Sequence, residues 1–297
     1  MKSKSPLHPK SLHHDRYEFP PLLKVNPPLK NHVFTNDYGS ETINFFDPIA
    51  VKELNKALLL HHYGLQYWDI PPQYLCPPIP SRADYIHHLA DLLASTELAQ
   101  QLPIRCLDIG TGANCIYPLI GASHYHWHFV GTDIDVVALE AAQKNVENNP
   151  NVTDKISLRL QKDKQHLLVG TVAADEFFHF ALCNPPFHAS AKEAAAGTRR
   201  KLNNLKKSSS KKSALNFGGQ SNELWYAGGE IKFLDNYIQE SQQYKQQVLW
   251  FTSLVSKEEN LPTIMKALRA VKCKSVKIID MQHGNKKSRI LAWSFQL

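Results

Sequence analysis

The 297-residue chain has no uninterrupted apolar stretch long enough to span a membrane, so no transmembrane helix is expected. Its first ten residues are polar and lack the apolar region of a secretory signal peptide. Cysteine is scarce: five occur, none in a C-x-x-C pair, which excludes a disulfide framework and a cysteine-paired zinc site. These absences point to a cytoplasmic protein in a reducing compartment. Histidine is plentiful, with fifteen residues, yet His13-His14, His61-His62 and His87-His88 are adjacent pairs whose rings do not meet at one ion from a helix face. His124, His126 and His128 alternate and would point one way from a strand, but no set of cysteines or acids accompanies them. No metal site is expected.

One glycine is missing too. Residues 104–109, Ile-Arg-Cys-Leu-Asp-Ile, read as a short buried strand, and Gly110-Thr111-Gly112-Ala113-Asn114 follow at once. Glycines there let the backbone pass close to a ligand. The third glycine of the dinucleotide pattern G-x-G-x-x-G is replaced by Cys115. Asp108, just before the loop, suits a charged amino-acid group better than a pyrophosphate. A second apolar stretch, 127–132, runs into Asp133, 23 residues after Gly110, the place from which a carboxylate grips ribose hydroxyls.

The apolar run 177–183 ends in Asn184-Pro185-Pro186-Phe187. The exocyclic amine of a base is a weak nucleophile, because its lone pair is delocalised into the ring. Two neutral acceptors converging on that NH2, the Asn184 side-chain carbonyl and the Pro185 backbone carbonyl, make the nitrogen more electron-rich as it attacks a methyl group. Pro185 and Pro186 stiffen the turn, and the Phe187 ring offers a face to a flipped base. Glycine loop, Asp133 and Asn-Pro-Pro-Phe, in that order, argue for an S-adenosylmethionine-dependent amino-methyltransferase over a dehydrogenase.

More specific strings accompany the trio: Arg82-Ala83-Asp84-Tyr85-Ile86-His87-His88, Gly-Ala-Asn-Cys-Ile-Tyr-Pro-Leu at 112–119, Asn216-Phe217-Gly218-Gly219, and Trp-Phe-Thr-Ser-Leu-Val at 250–255. On these, from about residue 8 to the C-terminus, the chain resembles the bacterial 23S ribosomal RNA adenine-N6 methyltransferase F family, whose eukaryotic relatives methylate small nuclear and messenger RNA. The resemblance implies methyl transfer from S-adenosylmethionine to N6 of one adenine in large-subunit ribosomal RNA. It also implies a sheet with a reversed last strand, and an ion pair between Arg82 and the cofactor carboxylate. The same Asn-Pro-Pro-Phe string serves guanine-N2 methyltransferases and, in related form, glutamine methyltransferases. A non-enzymatic alternative is an RNA-binding protein with a disabled methyltransferase fold.

The net charge of +7 is concentrated. Residues 199–212 hold Arg199, Arg200, Lys201, Lys206, Lys207, Lys211 and Lys212 and no acid. The last thirty-two residues add eight cations, Lys286, Lys287 and Arg289 among them, against Asp280 alone. Clustered cations displace the counterions of a polyphosphate backbone, which makes these groups candidate RNA contacts. The segment 199–212 has two leucines and no aromatic residue, so it is expected to be mobile in the free chain and to close over RNA phosphates.

The chain divides into a proline-rich appended module, 1–80, and a catalytic domain, 81–297. The module contains one helix, 48–62, and either shapes an RNA surface or caps the sheet. A helix over 82–101, capped by Ser81, leads into strands near 104–109, 127–133, 155–160 and 177–183. A helix near 230–243, a strand at 248–255, a helix at 257–270 and two strands near 273–280 and 289–296 follow. The last pair, joined by 282–287, is too closely linked for a crossover and is expected to be antiparallel. The fold class is therefore α/β, a Rossmann-like class I methyltransferase sheet with a reversed last strand plus a small N-terminal module. Asp108, Gly110, Thr111 and Gly112 are assigned to the amino-acid end of S-adenosylmethionine. Asn114 is placed on the same carboxylate, Asp133 on the ribose and Asp163, as the end of the third strand, on the adenine. A monomer is expected.

Overall fold

The computed structural model describes residues 7–14, 16–96, 103–190, 192–193, 221–283 and 286–297. The first elements are α1 (Phe19–Val25), the short hairpin β1 (Val33–Thr35) and β2 (Glu41–Ile43), and α2 (Pro48–Tyr63). α2 starts where Asp47 Oδ1 accepts the Ile49 N–H at 2.9 Å and Pro48 presets the first turn; it stops at Gly64, in the left-handed region at φ 64°. Then comes α3 (Ile79–Ala94). It begins three residues before the expected start, because Pro80 sits in its first turn. Ser81 is inside the helix, its hydroxyl donating to the Pro78 carbonyl at 3.2 Å, rather than at the cap.

Strands and helices alternate from there: β3 (Arg105–Ile109), α4 (Ile116–Tyr125), β4 (His128–Asp133), α5 (Val136–Glu147), β5 (Ile156–Leu160) and β6 (Phe178–Cys183). α6 (Gly229–Ser241), β7 (Val248–Val255), α7 (Leu261–Ala270), β8 (Ser275–His283) and β9 (Lys286–Ser294) complete the chain. Seven strands form one sheet in the order β5-β4-β3-β6-β7-β9-β8. Its neighbours are parallel except β9, which runs against both β7 and β8. The reversed strand is as the resemblance implied. The hairpin is tighter than the sequence suggested, since pairing continues to His283 opposite Lys286. α7 starts later than expected, a 3-10 turn at Glu258–Asn260 preceding Pro262.

Alternate residues of the central strands feed two cores. Cys106 joins one with residues of α3 and α4, while Leu107 and Ile109 join the other with α6 and α7. Phe19, Leu22, Leu54 and Trp68 belong to the first of these, so the N-terminal eighty residues share the sheet's core. On α5 the buried face is Ala138, Ala142 and Val146, while Val136 and Val137 are about half exposed.

The alternating histidines do not lie on one strand face. His124 is in α4 and His126 is its C-cap at φ 56°, leaving only His128 in β4. His8, His87 and His124 pack ring against ring, at 5.4 and 5.1 Å, and burial pushes His87 down to about 3. Among the described residues no group of three histidines, cysteines or acids is arranged to hold a metal ion, and no helix is long and apolar enough to cross a membrane.

Candidate active site

The sheet order reverses beside β3, between β4 and β6, and parallel α/β sheets open a crevice at such a switch point. Register makes the opening chemically dense. Ile109 pairs with Thr132 on one side and Cys183 on the other, so Gly110, Asp133 and Asn184 leave three adjacent strands at one level. Residues some seventy apart in sequence thereby share one wall. A cavity of about 400 Å³ lies there, lined by Gly110, Thr111, Gly112, Asp133 and Asn184 among others.

The glycine loop does what its composition promises. Gly110 and Gly112 both adopt positive φ, 74° and 63°, and the Gly112 N–H donates to Asp133 Oδ2 at 2.9 Å. The Asp135 N–H donates to the other Asp133 oxygen at 3.0 Å. One bond at each oxygen fixes the carboxylate while leaving lone pairs for further donors, as ribose hydroxyls would be. Cys115, where a dinucleotide loop has its third glycine, also takes a left-handed conformation, φ 49°, as the chain turns into α4.

Three buried polar groups bear on what this opening can bind. Asp108 is 1% exposed and neither of its carboxylate oxygens is hydrogen-bonded. Burial pushes it up to about 7, with Asp133 adding to the rise while the Thr111 hydroxyl and the Arg82 charge oppose it. Arg82, 8% exposed, lies over the Tyr117 ring with its guanidinium carbon 5.7 Å from the centroid, and among the described residues no carboxylate is within ion-pair distance of it. A buried cation and a buried acid that do not meet each other call for a ligand carrying both an anion and a cation. The third is Asn184, whose Oδ1 is buried and accepts nothing.

A family profile described as RNA methyltransferase matches residues 1–297. The chain belongs to the RNA methyltransferase family. It is similar to ribosomal RNA large subunit methyltransferase F of Bacteroides thetaiotaomicron, 52% identical over 305 residues and 99% of both chains. It is also similar to the protein of that name from Pseudomonas entomophila, 52% identical, covering 99% of this chain and 95% of the other. Among solved structures, the human METTL16 catalytic domain in complex with the MAT2A 3′UTR hairpin 1 superposes with a TM-score of 0.82 at 34% identity, covering 97% of this chain and 95% of that one. The human METTL16 N-terminal domain in complex with SAH superposes at 0.77 with 30% identity, covering 98% and 99%.

This methyltransferase places most of the expected residues together, with differences that matter. Pro186 lines the cavity with Asn184, whereas Pro185 is buried behind it and Phe187 is half-buried outside the wall. Asn114 lines the cavity, but its Oδ1 caps the Ile116 N–H at 3.1 Å and its amide leans on the Leu75 carbonyl at 3.4 Å. Asp163 is displaced from its assigned role. β5 ends at Leu160, the Asp163 side chain is 57% exposed, and Gln161, 6% exposed, faces the cavity in its place. Glu240 on α6 holds this loop, accepting the backbone N–H groups of Leu167 and Leu168 at 3.0 and 2.8 Å.

Other wall residues had no sequence signal strong enough to find them. The proline-rich stretch after α2 supplies Leu75 and Pro77, and Trp68 donates its indole N–H to the Asn114 carbonyl at 3.0 Å. Asn145 and Asn149 of the α5 region bind the backbone of Asp69 and Tyr67, locking that stretch against the glycine loop. On the far side, His188 pairs with Trp225 in a parallel bridge, so Glu223, Trp225 and Tyr226 join the wall. Glu223 Oε2 accepts the Leu75 N–H at 3.2 Å across the mouth. The Trp225-Tyr226 pair after the basic segment was the only clue.

Of the candidate RNA contacts, Arg199, Arg200, Lys201, Lys206, Lys207, Lys211 and Lys212 lie outside the described residues, as does the side chain of Lys286. Lys287 is exposed. Arg289 is not a free cation: it is 9% exposed and ion-paired with Glu258 and, at 3.3 Å, with Asp280. Neutralised in the fold, it is a poor phosphate ligand.

Proposed function

We propose that this protein transfers a methyl group from S-adenosylmethionine to N6 of a specific adenine in large-subunit ribosomal RNA. The observation that carries the reading is the buried, unpartnered Oδ1 of Asn184, an acceptor held in the cofactor cavity with no donor of its own. An exocyclic NH2 is the donor it lacks. The relatives' names, the RNA hairpin on the human neighbour and the SAH on another support the same reading.

When bound, S-adenosylmethionine supplies an electrophilic sulfonium methyl group. Arg82 holds its carboxylate, Asp108 its ammonium and Asp133 its ribose hydroxyls. Ile134 and Leu167 offer apolar faces to its adenine, and Gln161 a polar one. The Asn184 side chain and the Pro185 carbonyl accept the two hydrogens of the target amine, and Phe187 takes the flipped base. Held in this way, the amine would face the methyl group in line, and Asn184 and Pro185 would take up the positive charge growing on its hydrogens until one proton passes to water. The test is a map of modified nucleosides in large-subunit RNA from cells lacking the protein. Loss of one N6-methyladenosine is expected; a lost N2-methylguanosine, or no lost mark, overturns the proposal.

The raised Asp108 gives a pH dependence. Its folded-state value, about 7, lies above the ordinary carboxylate range, so in the free protein it is protonated below neutrality and must ionise to hold an ammonium. Cofactor affinity should therefore rise roughly tenfold from pH 6 to 7.5, as the competent fraction of the site grows. Above that range the ligand's own amine begins to lose its proton. Calorimetric titration checks this, and Asp108→Asn should flatten the profile.

The basic segment gives a second expectation. Each phosphate neutralised contributes about 0.9 to the salt slope on a duplex and about 0.7 on a single strand, so replacing four of its cations should flatten the slope of RNA binding by roughly three units. Cofactor affinity should not move. An unchanged slope would remove this segment from the RNA interface.

A further inference from the structure

Trp225 lines the cavity, and the methyl transfer above leaves its chemistry unused. Its indole Nε1–H is buried and donates to nothing, while the residue lines the same cavity as Asn184. Its position is built. The His188 N–H donates to the Leu224 carbonyl at 3.2 Å and the Tyr226 N–H to the His188 carbonyl at 3.0 Å, which ties Trp225 to the strand extension four residues after Asn184. Tyr226 is braced in turn, accepting the Asn236 amide at 2.7 Å on its hydroxyl and meeting the Phe233 ring edge-to-face at 5.3 Å. An indole N–H has no acceptor capacity, so only an acceptor can satisfy it, and leaving it dry is unfavourable.

Among the unpaired groups of the cavity are an acceptor, Asn184 Oδ1, and a donor, Trp225 Nε1–H. Adenine is complementary to that pair: its amine is flanked by the acceptors N1 and N7, one on each side. Guanine flanks its amine with the N1–H donor on one side and the acceptor N3 on the other, so an indole N–H opposes it in one of the two orientations and adenine in neither. We propose that Trp225 is a specificity-determining residue, donating a hydrogen bond to the ring nitrogen beside the target amine and thereby favouring adenine over guanine. The inference rests on the adenine reading above and adds to it the residue that enforces the choice.

The experiment compares wild type with Trp225→Phe, which keeps an aromatic ring but removes the N–H together with the indole's second ring. The substrates are large-subunit ribosomal RNA transcripts made with adenosine, 1-deazaadenosine or 7-deazaadenosine, and the readout is the single-turnover rate of methyl transfer. With adenosine transcript the variant is expected to be about tenfold slower than wild type. One of the two deaza transcripts should slow the wild type by a similar factor beyond any effect it has on the variant. That selective loss of sensitivity is a readout a merely structural role would not move. Equal rates for both proteins on adenosine transcript overturn the proposal, as does a slower variant that keeps the full deaza penalty. S-adenosylmethionine titration and thermal melting of the variant should match wild type; a variant that fails either is replaced by Trp225→Leu, which also lacks a donor, under the same criteria. Transfer by the wild type to guanine in the adenosine transcript would overturn the adenine reading itself, and this is read before any variant is made.

Discussion

Asn184→Ala is expected to lower turnover by about a hundredfold or more, the scale of losing one preorganised polar partner of a transition state. The physical ground is that the acceptor is already in place and already desolvated. Asn184 Oδ1 is buried without a donor in the free protein, so the enzyme bears the cost of orienting it before substrate arrives. The same fact gives the variant a distinguishing signature. Removing an unsatisfied buried acceptor takes away a destabilising group, so the melting temperature should hold or rise while turnover collapses. Cofactor affinity should change far less than turnover, because the side chain addresses the amine. Near-normal turnover, or loss of activity traced to unfolding in the melting curve, would sink the assigned role.

Asp133→Ala should weaken S-adenosylmethionine binding by roughly 1–3 kcal/mol through loss of charge-assisted hydrogen bonds to the ribose. Here the substitution has a second consequence. Asp133 accepts the N–H groups of Gly112 and Asp135, so alanine also strands two backbone donors and loosens the glycine loop. Asp133→Asn separates the two effects. The amide oxygen can keep one of those backbone bonds but carries no charge, so an asparagine variant that binds nearly as well as wild type would mean that Asp133 serves the loop and not the ribose. Calorimetry on both variants, at one pH, makes the comparison.

The cofactor half of the site was legible in the chain because its demands are local. A buried strand, a loop that must turn left-handed at Gly110 and Gly112, and a second strand ending in an acid each need particular residues at short, fixed spacing. Asn184 was legible for the same reason, since a stiff turn directly after a buried strand is written in consecutive residues. The alternation that follows, and the short link before the last strand, determined the parallel sheet and its reversed final member.

What only the tertiary structure decided are contacts between residues with no periodic relation. Leu75 meets Glu223 across 148 positions, and Trp225 reaches the wall through a single parallel bridge to His188, far earlier in the sequence. Gln161 and Asp163 are both polar at a strand end. Two residues of register, set by where β5 stops pairing with β4, put one in the cavity and the other in water. Arg289 carries the same formal charge as its neighbours, yet burial beside Asp280 and Glu258 spends that charge inside the fold. Charge, like shape, acts through distance, and the distances between segments are created only when the two cores close around the sheet.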